Sequence, residues 1–87
     1  MKKIIEQVEG EGLEALLGEQ VVLFCANYIY SGKLLGVNAD DILLENPKVV
    51  YETGELTANS FTDAQPLPGN WYIRITFIES YGKVTHD

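Results

Sequence analysis

The amino-acid sequence predicts a mostly β fold: a small five-stranded barrel preceded by a short N-terminal helix. Apolar residues follow helical spacing up to Leu17, and beyond Gly18 they alternate with a period of two, which is typical of half-buried strands. The predicted strands are short and are separated by tight turns. Such a meander closes most easily into a small barrel, which also removes unpaired sheet edges.

The size of the chain predicts one domain, residues 1–87, with a small core. A single cysteine and a single histidine exclude a disulfide framework and give no basis for a metal cage. Oligomerisation is the remaining common way to supplement a core of this size. Hydrophobic residues make up 46% of the chain, which excludes a disordered polymer.

The N-terminal segment, residues 1–17, is predicted to be helical. Its apolar residues fall into two groups at helical spacing, residues 4–8 and residues 13–17. Gly10 and Gly12 lie between the groups, and a glycine costs about 1 kcal/mol relative to alanine inside a helix. The pattern therefore allows two short pieces, with residues 13–17 the better turn and Gly18 its natural end.

The next segment, residues 18–51, contains the first three predicted strands. They cover residues 21–26, residues 28–35, and a third strand at residues 42–44 that resumes at residues 49–51. A turn near Asn27 joins the first two, and Asn38-Ala39-Asp40-Asp41 forms the second turn, because Asn and Asp side chains bond their own backbone. Asn46-Pro47 is expected to interrupt the third strand.

The rest of the chain divides into a variable loop, residues 52–70, and two final strands within residues 71–87. The loop is rich in glycine and proline and is expected to be irregular, with a short strand near Leu56. Residues 71–78 alternate most clearly of all and predict one continuous strand. A turn at Tyr81-Gly82 then leads to a short last strand.

The charge balance limits the partners. Six lysines and arginines against 13 aspartates and glutamates give a formal net charge of −7, and an acidic protein repels a phosphate backbone at long range. Any nucleic-acid contact must therefore be local. The longest apolar run, residues 21–26, is far shorter than the roughly 20 residues of a membrane span, and glutamates interrupt any signal-peptide core. We expect no membrane partner and a cytoplasmic location.

Five stretches of the chain carry a family resemblance. They are Leu16-Leu17-Gly18, the alternating Val21, Leu23 and Cys25, Tyr30-Ser31-Gly32-Lys33-Leu34, residues 37–41, and Ile42-Leu43-Leu44. In order and spacing they resemble the first motif of the Sm-like (LSm) family, as a divergent member whose first hairpin is one residue shorter and lacks its turn glycine. A glycine in the second strand suits a strongly bent barrel strand; alternatively, Gly32 belongs to a turn.

The departures from the family fall on its nucleic-acid contacts. Its loop between strands 2 and 3 usually supplies a stacking ring, whereas residues 38–41 contain no aromatic. The second family motif, Ile-Arg-Gly, can be placed in two ways. Ile73-Arg74 matches its first two letters but leaves Arg74 inside a strand. Tyr81-Gly82 instead puts a glycine at the predicted last turn, and geometry favours this placement.

The resemblance implies a bent-sheet barrel of SH3-type topology. It also implies a non-enzymatic homo-oligomeric ring of about five to seven copies that binds single-stranded RNA or DNA in nucleic-acid processing. The implied nucleic-acid contacts are Asn38, Asp40, Asp41, Arg74, Tyr81 as a stacking plane and Lys83 as a phosphate contact. The implied contact between copies pairs residues 71–78 with residues 83–85 of the next copy and uses Trp71, Ile73, Ile75, Phe77 and Val84. The alternative is a structural or protein-interaction oligomer without a nucleic-acid ligand, which the acidic charge favours.

No group of residues has the pattern of a catalytic or cofactor site, so we expect no enzyme, no cofactor and no metal. Cys25 ends the apolar face of the first strand, which predicts a buried, inert thiol. Asp40, Asp41 and Glu45 offer oxygen ligands at a spacing that fits no known cation loop. Arg74 is expected to pair with a cross-strand carboxylate. The rings of Tyr28, Tyr30, Trp71 and Tyr72 predict barrel wall or subunit interface.

Overall fold

The computed structural model describes residues 12–58 and 60–84 and contains one six-stranded antiparallel sheet. The strands are β1 (Gln20–Cys25), β2 (Ile29–Val37), β3 (Asp41–Glu52), β4 (Asp63–Pro66), β5 (Trp71–Arg74) and β6 (Ile78–Lys83). Two 3-10 turns, Leu13–Leu16 and Ile75–Phe77, are the helical elements of the described residues, and neither is long and apolar enough to cross a membrane. The prediction of a mostly β fold is confirmed.

The strand order is β4-β3-β2-β1-β6, with β5 also paired to β3. The first half of β3 pairs with β5, from Asp41↔Arg74 to Leu44↔Trp71, and the second half pairs with β4. Thus β4 and β5 are two pieces of one edge strand, broken at residues 67–70 next to Pro66. The sixth strand, β4, lies in the segment predicted as a variable loop, and β5 and β6 stand in place of the two predicted final strands. The predicted closure into a barrel is not observed in the described part of the chain, where β6 and the broken β4/β5 strand are the two edges of an open sheet.

The core lies on the inner face of β1, β2, β3 and β5. Its fully buried members are Val21, Leu23, Leu34, Ile42 and Leu44, with Ile73 nearly so. These residues alternate along their strands, as the period of two predicted. Leu13 and Leu16 of the first 3-10 turn pack against this cluster.

The predicted helix over residues 13–17 is wrong, because these residues form only a 3-10 turn. Gly12 and Gly18 flank it with φ values of 82° and 84°. Five residues between two such glycines are too few to offset the cost of nucleating an α-helix. Side chains at i and i+3 eclipse in a 3-10 turn, which is why Leu13 and Leu16 both reach the core. The other half of the predicted helical segment, at residues 4–8, lies outside the described residues.

A tight contact between β2 and β3, which we call the crease, surrounds Gly32. Ser31 pairs with Lys48 and Lys33 with Glu45, so Gly32 alone lies opposite Asn46 and Pro47 in a β-bulge. A Cβ on Gly32 would lie 3.1 Å from the Cα of Pro47 and 3.2 Å from the carbonyl oxygen of Glu45. The position of Gly32 inside the strand is confirmed, and the alternative turn is wrong. Asn46-Pro47 forms a bulge within β3 and does not end it.

The C-terminal strands differ from the alternation pattern. The predicted continuous strand over residues 71–78 ends at Arg74, because Arg74 pairs with Asp41, the first residue of β3, and no ladder partner lies beyond it. The chain therefore turns through Ile75–Phe77 and pairs with β1 as β6. The predicted turn at Tyr81-Gly82 is wrong, since both residues lie inside β6. The short strand expected near Leu56 is also wrong: Leu56 lies in a turn, and the strand of this region is β4.

Candidate functional site

One end of the sheet gathers four of the predicted site residues, and we call them the rim: Asn38, Asp40, Asp41 and Arg74. The turn between β2 and β3 is held by the backbone N–H of Asn38, which donates to the carbonyl of Asp41 at 2.8 Å. The Asn38 side-chain amide also donates to Asp41 Oδ1 at 2.8 Å. The N–H of Ile75 donates to the carbonyl of Asp40 at 2.9 Å and ties the second 3-10 turn to the rim. The predicted turn is confirmed.

The rim combines one cation with two carboxylates. Arg74 lies directly opposite Asp41 in the β3–β5 ladder and is exposed. The expected cross-strand ion pair does not form. Lys83–Glu19 is the ion pair found among the described residues, and Asp41 instead accepts from Asn38. The Arg74 guanidinium, with five donors, therefore keeps its charge available to an anion.

The other two predicted nucleic-acid contacts lie on a different strand. Tyr81 pairs with Leu23 and Lys83 pairs with Val21, both in the β1–β6 ladder. Lys83 Nζ lies 2.8 Å from Glu19 Oε2. The prediction that these two residues lie around a turn is wrong, because both lie within β6.

The five predicted interface residues divide by burial. Ile73 and Val84 are buried within the chain at 6% and 9% exposure, and Ile75 packs against the core. Trp71 and Phe77 keep 38% and 52% of their surface exposed. Of the five, therefore, these two rings offer apolar surface to another molecule.

A groove of about 240 Å³ opens between the β1–β2 turn, β5 and the second 3-10 turn. We call it the aromatic groove, because five rings line it together with Arg74. The rings are Tyr28, Tyr30, Trp71, Tyr72 and Phe77. Those of Tyr28 and Tyr30 lie 6.2 Å apart and are tilted by 58°. The N–H of Ala26 donates to the carbonyl of Phe77 at 2.9 Å and holds the two sides together.

Sequence reasoning named all five rings but not the groove. It assigned them to barrel wall or subunit interface, where rings with one apolar and one polar end are enriched. The pairs Tyr28/Tyr30 and Trp71-Tyr72 were the available signal. What brings them together is the turn at Ile75–Phe77, which no local pattern predicted.

Cys25 also lines the aromatic groove and is half-buried, so the predicted full burial of its thiol is wrong. Burial raises the pKa of its thiol, and the negative charge of Glu79 raises it further. The pKa of the Tyr30 hydroxyl is raised as well, first by burial and then by Cys25 and Tyr28. A protonated thiol is a weak nucleophile. Within residues 12–58 and 60–84, no group of three or more Cys, His, Asp and Glu side chains is placed to hold a metal ion.

Comparison of the chain with protein-family models and with curated proteins finds no match. The arguments for function therefore come from the geometry of the rim, the aromatic groove and the sheet edges. Similarity of fold alone would in any case leave the function open, because function depends on the site.

Proposed function

We propose that this chain is an Sm-like protein that assembles edge to edge into a homo-oligomeric ring and binds single-stranded RNA or DNA at the rim. The observation that carries the proposal is the position of Ile73-Arg74. Arg74 ends β5 directly before a 3-10 turn and lies opposite Asp41, at the end of the β2–β3 turn. The partial match to the family's second motif thus lies beside residues of its first motif. This supports the placement at Ile73-Arg74 over the one at Tyr81-Gly82.

The strand order supports the barrel part of the proposal. If β4 and β5 count as one broken strand, five strands follow each other and the last one pairs back with β1. A small barrel needs just such a return. The opening lies between β6 and the broken strand.

The proposed assembly uses the two sheet edges that have no partner strand among the described residues. Unpaired edges are templates for another strand, and proteins usually cover them. We propose that the edge of β5 pairs with β6 of a neighbouring copy through backbone hydrogen bonds. A head-to-tail contact of this kind closes into a ring when its rotation allows.

Ring closure is what makes binding feasible for an acidic chain. One Arg74 per copy is a weak site, but several around one rim act together on a single strand of nucleic acid. The carboxylates of Asp40 and Asp41 restrict the contact by repelling phosphate, whereas the Asn38 amide carries no charge. The cytoplasmic location predicted from the sequence fits this role.

Two measurements test the proposal. Light scattering should give a mass of several chains, and a clean monomer would contradict the ring. Fluorescence anisotropy with a uridine- or adenine-rich oligonucleotide should show binding that Arg74→Ala weakens roughly tenfold or more, since a charged hydrogen bond contributes about 1.5–3 kcal/mol. The salt dependence should also become shallower. Lys48→Ala is the matched control, because Lys48 lies on β3 opposite Pro66 and away from the rim. Equal loss in both variants would indicate only non-specific attraction.

A protein-interaction oligomer without a nucleic-acid ligand is the second candidate. The net charge of −7 and the ion pair that engages Lys83 favour it. An intact oligomer that fails to bind oligonucleotide at high micromolar protein and moderate salt would support this function and exclude the first.

A further inference from the structure

We infer that the aromatic groove is a nucleotide site, which takes one unstacked base between its rings while Arg74 holds the adjoining phosphate. The inference rests on the proposed function and deepens it, because it places base recognition in the groove and leaves the rim with phosphate contacts. The implied ligand is a single-stranded RNA or DNA segment.

The rings of the groove have the exposure that stacking needs. Tyr28 is 55% exposed, Tyr72 62% and Phe77 52%, so each presents ring surface to solvent. Bases stack on aromatic side chains without strong sequence preference because every base has a π-face. The turn at residues 38–41 lacks a ring, and the groove supplies several rings near the same cation.

Charge decides which class of ligand fits. Arg74 lines the groove and makes no ion pair with any described residue, so an apolar pocket ends at an available cation. That combination complements a ligand with a planar apolar part and an adjacent anion, as in a nucleotide. Glu79 is the acid whose charge acts on Cys25 in the groove. It would repel a phosphate there, which places the phosphate at the Arg74 end.

The size of the groove restricts how much of the ligand enters. Its volume of about 240 Å³ is below the roughly 300–1,000 Å³ of sites that enclose a drug-sized molecule. One ring system therefore enters while the sugar and phosphate stay outside. Asn27 also lines the groove, and an asparagine amide carries both a donor and an acceptor for a base edge.

The chain carries its own reporter for this site, because Trp71 is its only tryptophan. A base stacked in the groove should quench Trp71 fluorescence when a uridine- or adenine-rich oligonucleotide is titrated into the full chain. An abasic oligomer of the same length, with all its phosphates, should leave the fluorescence nearly unchanged. Equal quenching by the abasic oligomer would overturn the inference.

Two tyrosines of similar exposure provide matched variants. Tyr28 lies in the groove at 55% exposure, whereas Tyr51 lies outside it at 58%. Tyr28→Ala should weaken oligonucleotide binding roughly tenfold or more by anisotropy, Tyr28→Phe should restore most of it, and Tyr51→Ala should change it less than twofold. Both positions are exposed, so folding should survive. Equal effects of Tyr28→Ala and Tyr51→Ala would overturn the inference.

The remaining outcomes distinguish this inference from the proposed function. Binding that Arg74→Ala weakens, without quenching of Trp71, would leave the proposed function standing and overturn the groove site. No binding at all would overturn both. A change in Trp71 fluorescence with protein concentration alone would assign the groove to a second copy of the chain. Quenching by a proline-rich peptide but not by the oligonucleotide would assign it to a protein partner.

Discussion

The crease and the aromatic groove differ in how closely neighbouring segments of the chain approach each other. At the crease, Gly32 lets the backbones of β2 and β3 approach so closely that even a Cβ would lie 3.1 Å from Pro47. At the groove, large rings stand apart and leave about 240 Å³ between the β1–β2 turn and β5. The difference teaches that a residue without a side chain lets two backbones come into contact, whereas aromatic rings leave a space between two segments. We therefore expect substitutions at the crease to change stability and substitutions at the groove to change the proposed binding.

The largest expected effect is a loss of stability at the crease. Gly32→Ala should lower the free energy of unfolding by about 1–3 kcal/mol in urea denaturation, because the new Cβ meets the backbone of Glu45 and Pro47, which cannot move aside cheaply. Gly36→Ala is the control in the same strand, since its Cβ would meet only the Leu43 Cβ at 3.8 Å. We expect it to change stability by no more than about 0.5 kcal/mol. Equal losses in the two variants would show that the crease is no tighter than the rest of β2.

The second prediction concerns the aromatic groove and uses Cys25, the only cysteine of the chain. Burial and Glu79 raise the pKa of Cys25, so alkylation of the native protein by iodoacetamide should reach half its maximal rate at a higher pH than alkylation of the urea-unfolded chain. Glu79→Gln should lower the native midpoint while leaving the unfolded one unchanged. A native midpoint at or below the unfolded one would contradict the burial of this thiol.

The raised pKa values of Cys25 and Tyr30 also determine how the stability of the fold changes with pH. The folded state holds the Cys25 thiol proton more tightly than the unfolded state, so this contribution is fully present below the unfolded pKa. It is lost as the pH rises through the folded pKa. The Tyr30 hydroxyl acts in the same direction. Urea denaturation should therefore show stability falling on the alkaline side.

The sequence predicted the first half of the fold well, because its strands follow one another as neighbours. The alternation in β1 and the turns near Asn27 and at residues 38–41 are local patterns, and local patterns also set the register of the hairpins they join. The position of Gly32 within β2 followed from the same pattern. Asn46-Pro47 was harder to interpret, since a proline in a strand indicates either a break or a bulge and only its partner strand distinguishes them.

The second half could not be predicted from local pattern, because its strands are defined by distant partners. Residues 71–78 alternate along their whole length, yet the strand ends at Arg74 where its partner β3 begins. Tyr81-Gly82 has the composition of a turn, yet pairing with Leu23 and Val22 of β1 keeps it extended. The rim residues were named only through the family resemblance, and their role stays a prediction. Tyr81 and Lys83 were expected around a turn and lie instead in β6. The groove was missed because two separate segments build it.

The smallest expected effect concerns the ion pair between Lys83 and Glu19, which lies at the β6 edge of the sheet. Lys83 is bonded to Glu19 at 2.8 Å, with side-chain exposures of 58% and 42%, so this pair is largely solvated. A double-mutant cycle of Lys83→Ala and Glu19→Ala should give a coupling of about 0–1 kcal/mol in urea denaturation. Lys83→Ala should also weaken oligonucleotide binding less than Arg74→Ala does, because Glu19 already engages its ammonium group. If Lys83→Ala weakened binding as much as Arg74→Ala, the phosphate contact would lie on the β6 edge, and the motif placement at Tyr81-Gly82 would regain its support. The relative loss of oligonucleotide binding in these two variants therefore distinguishes a proposed phosphate contact at the rim from one at the β6 edge.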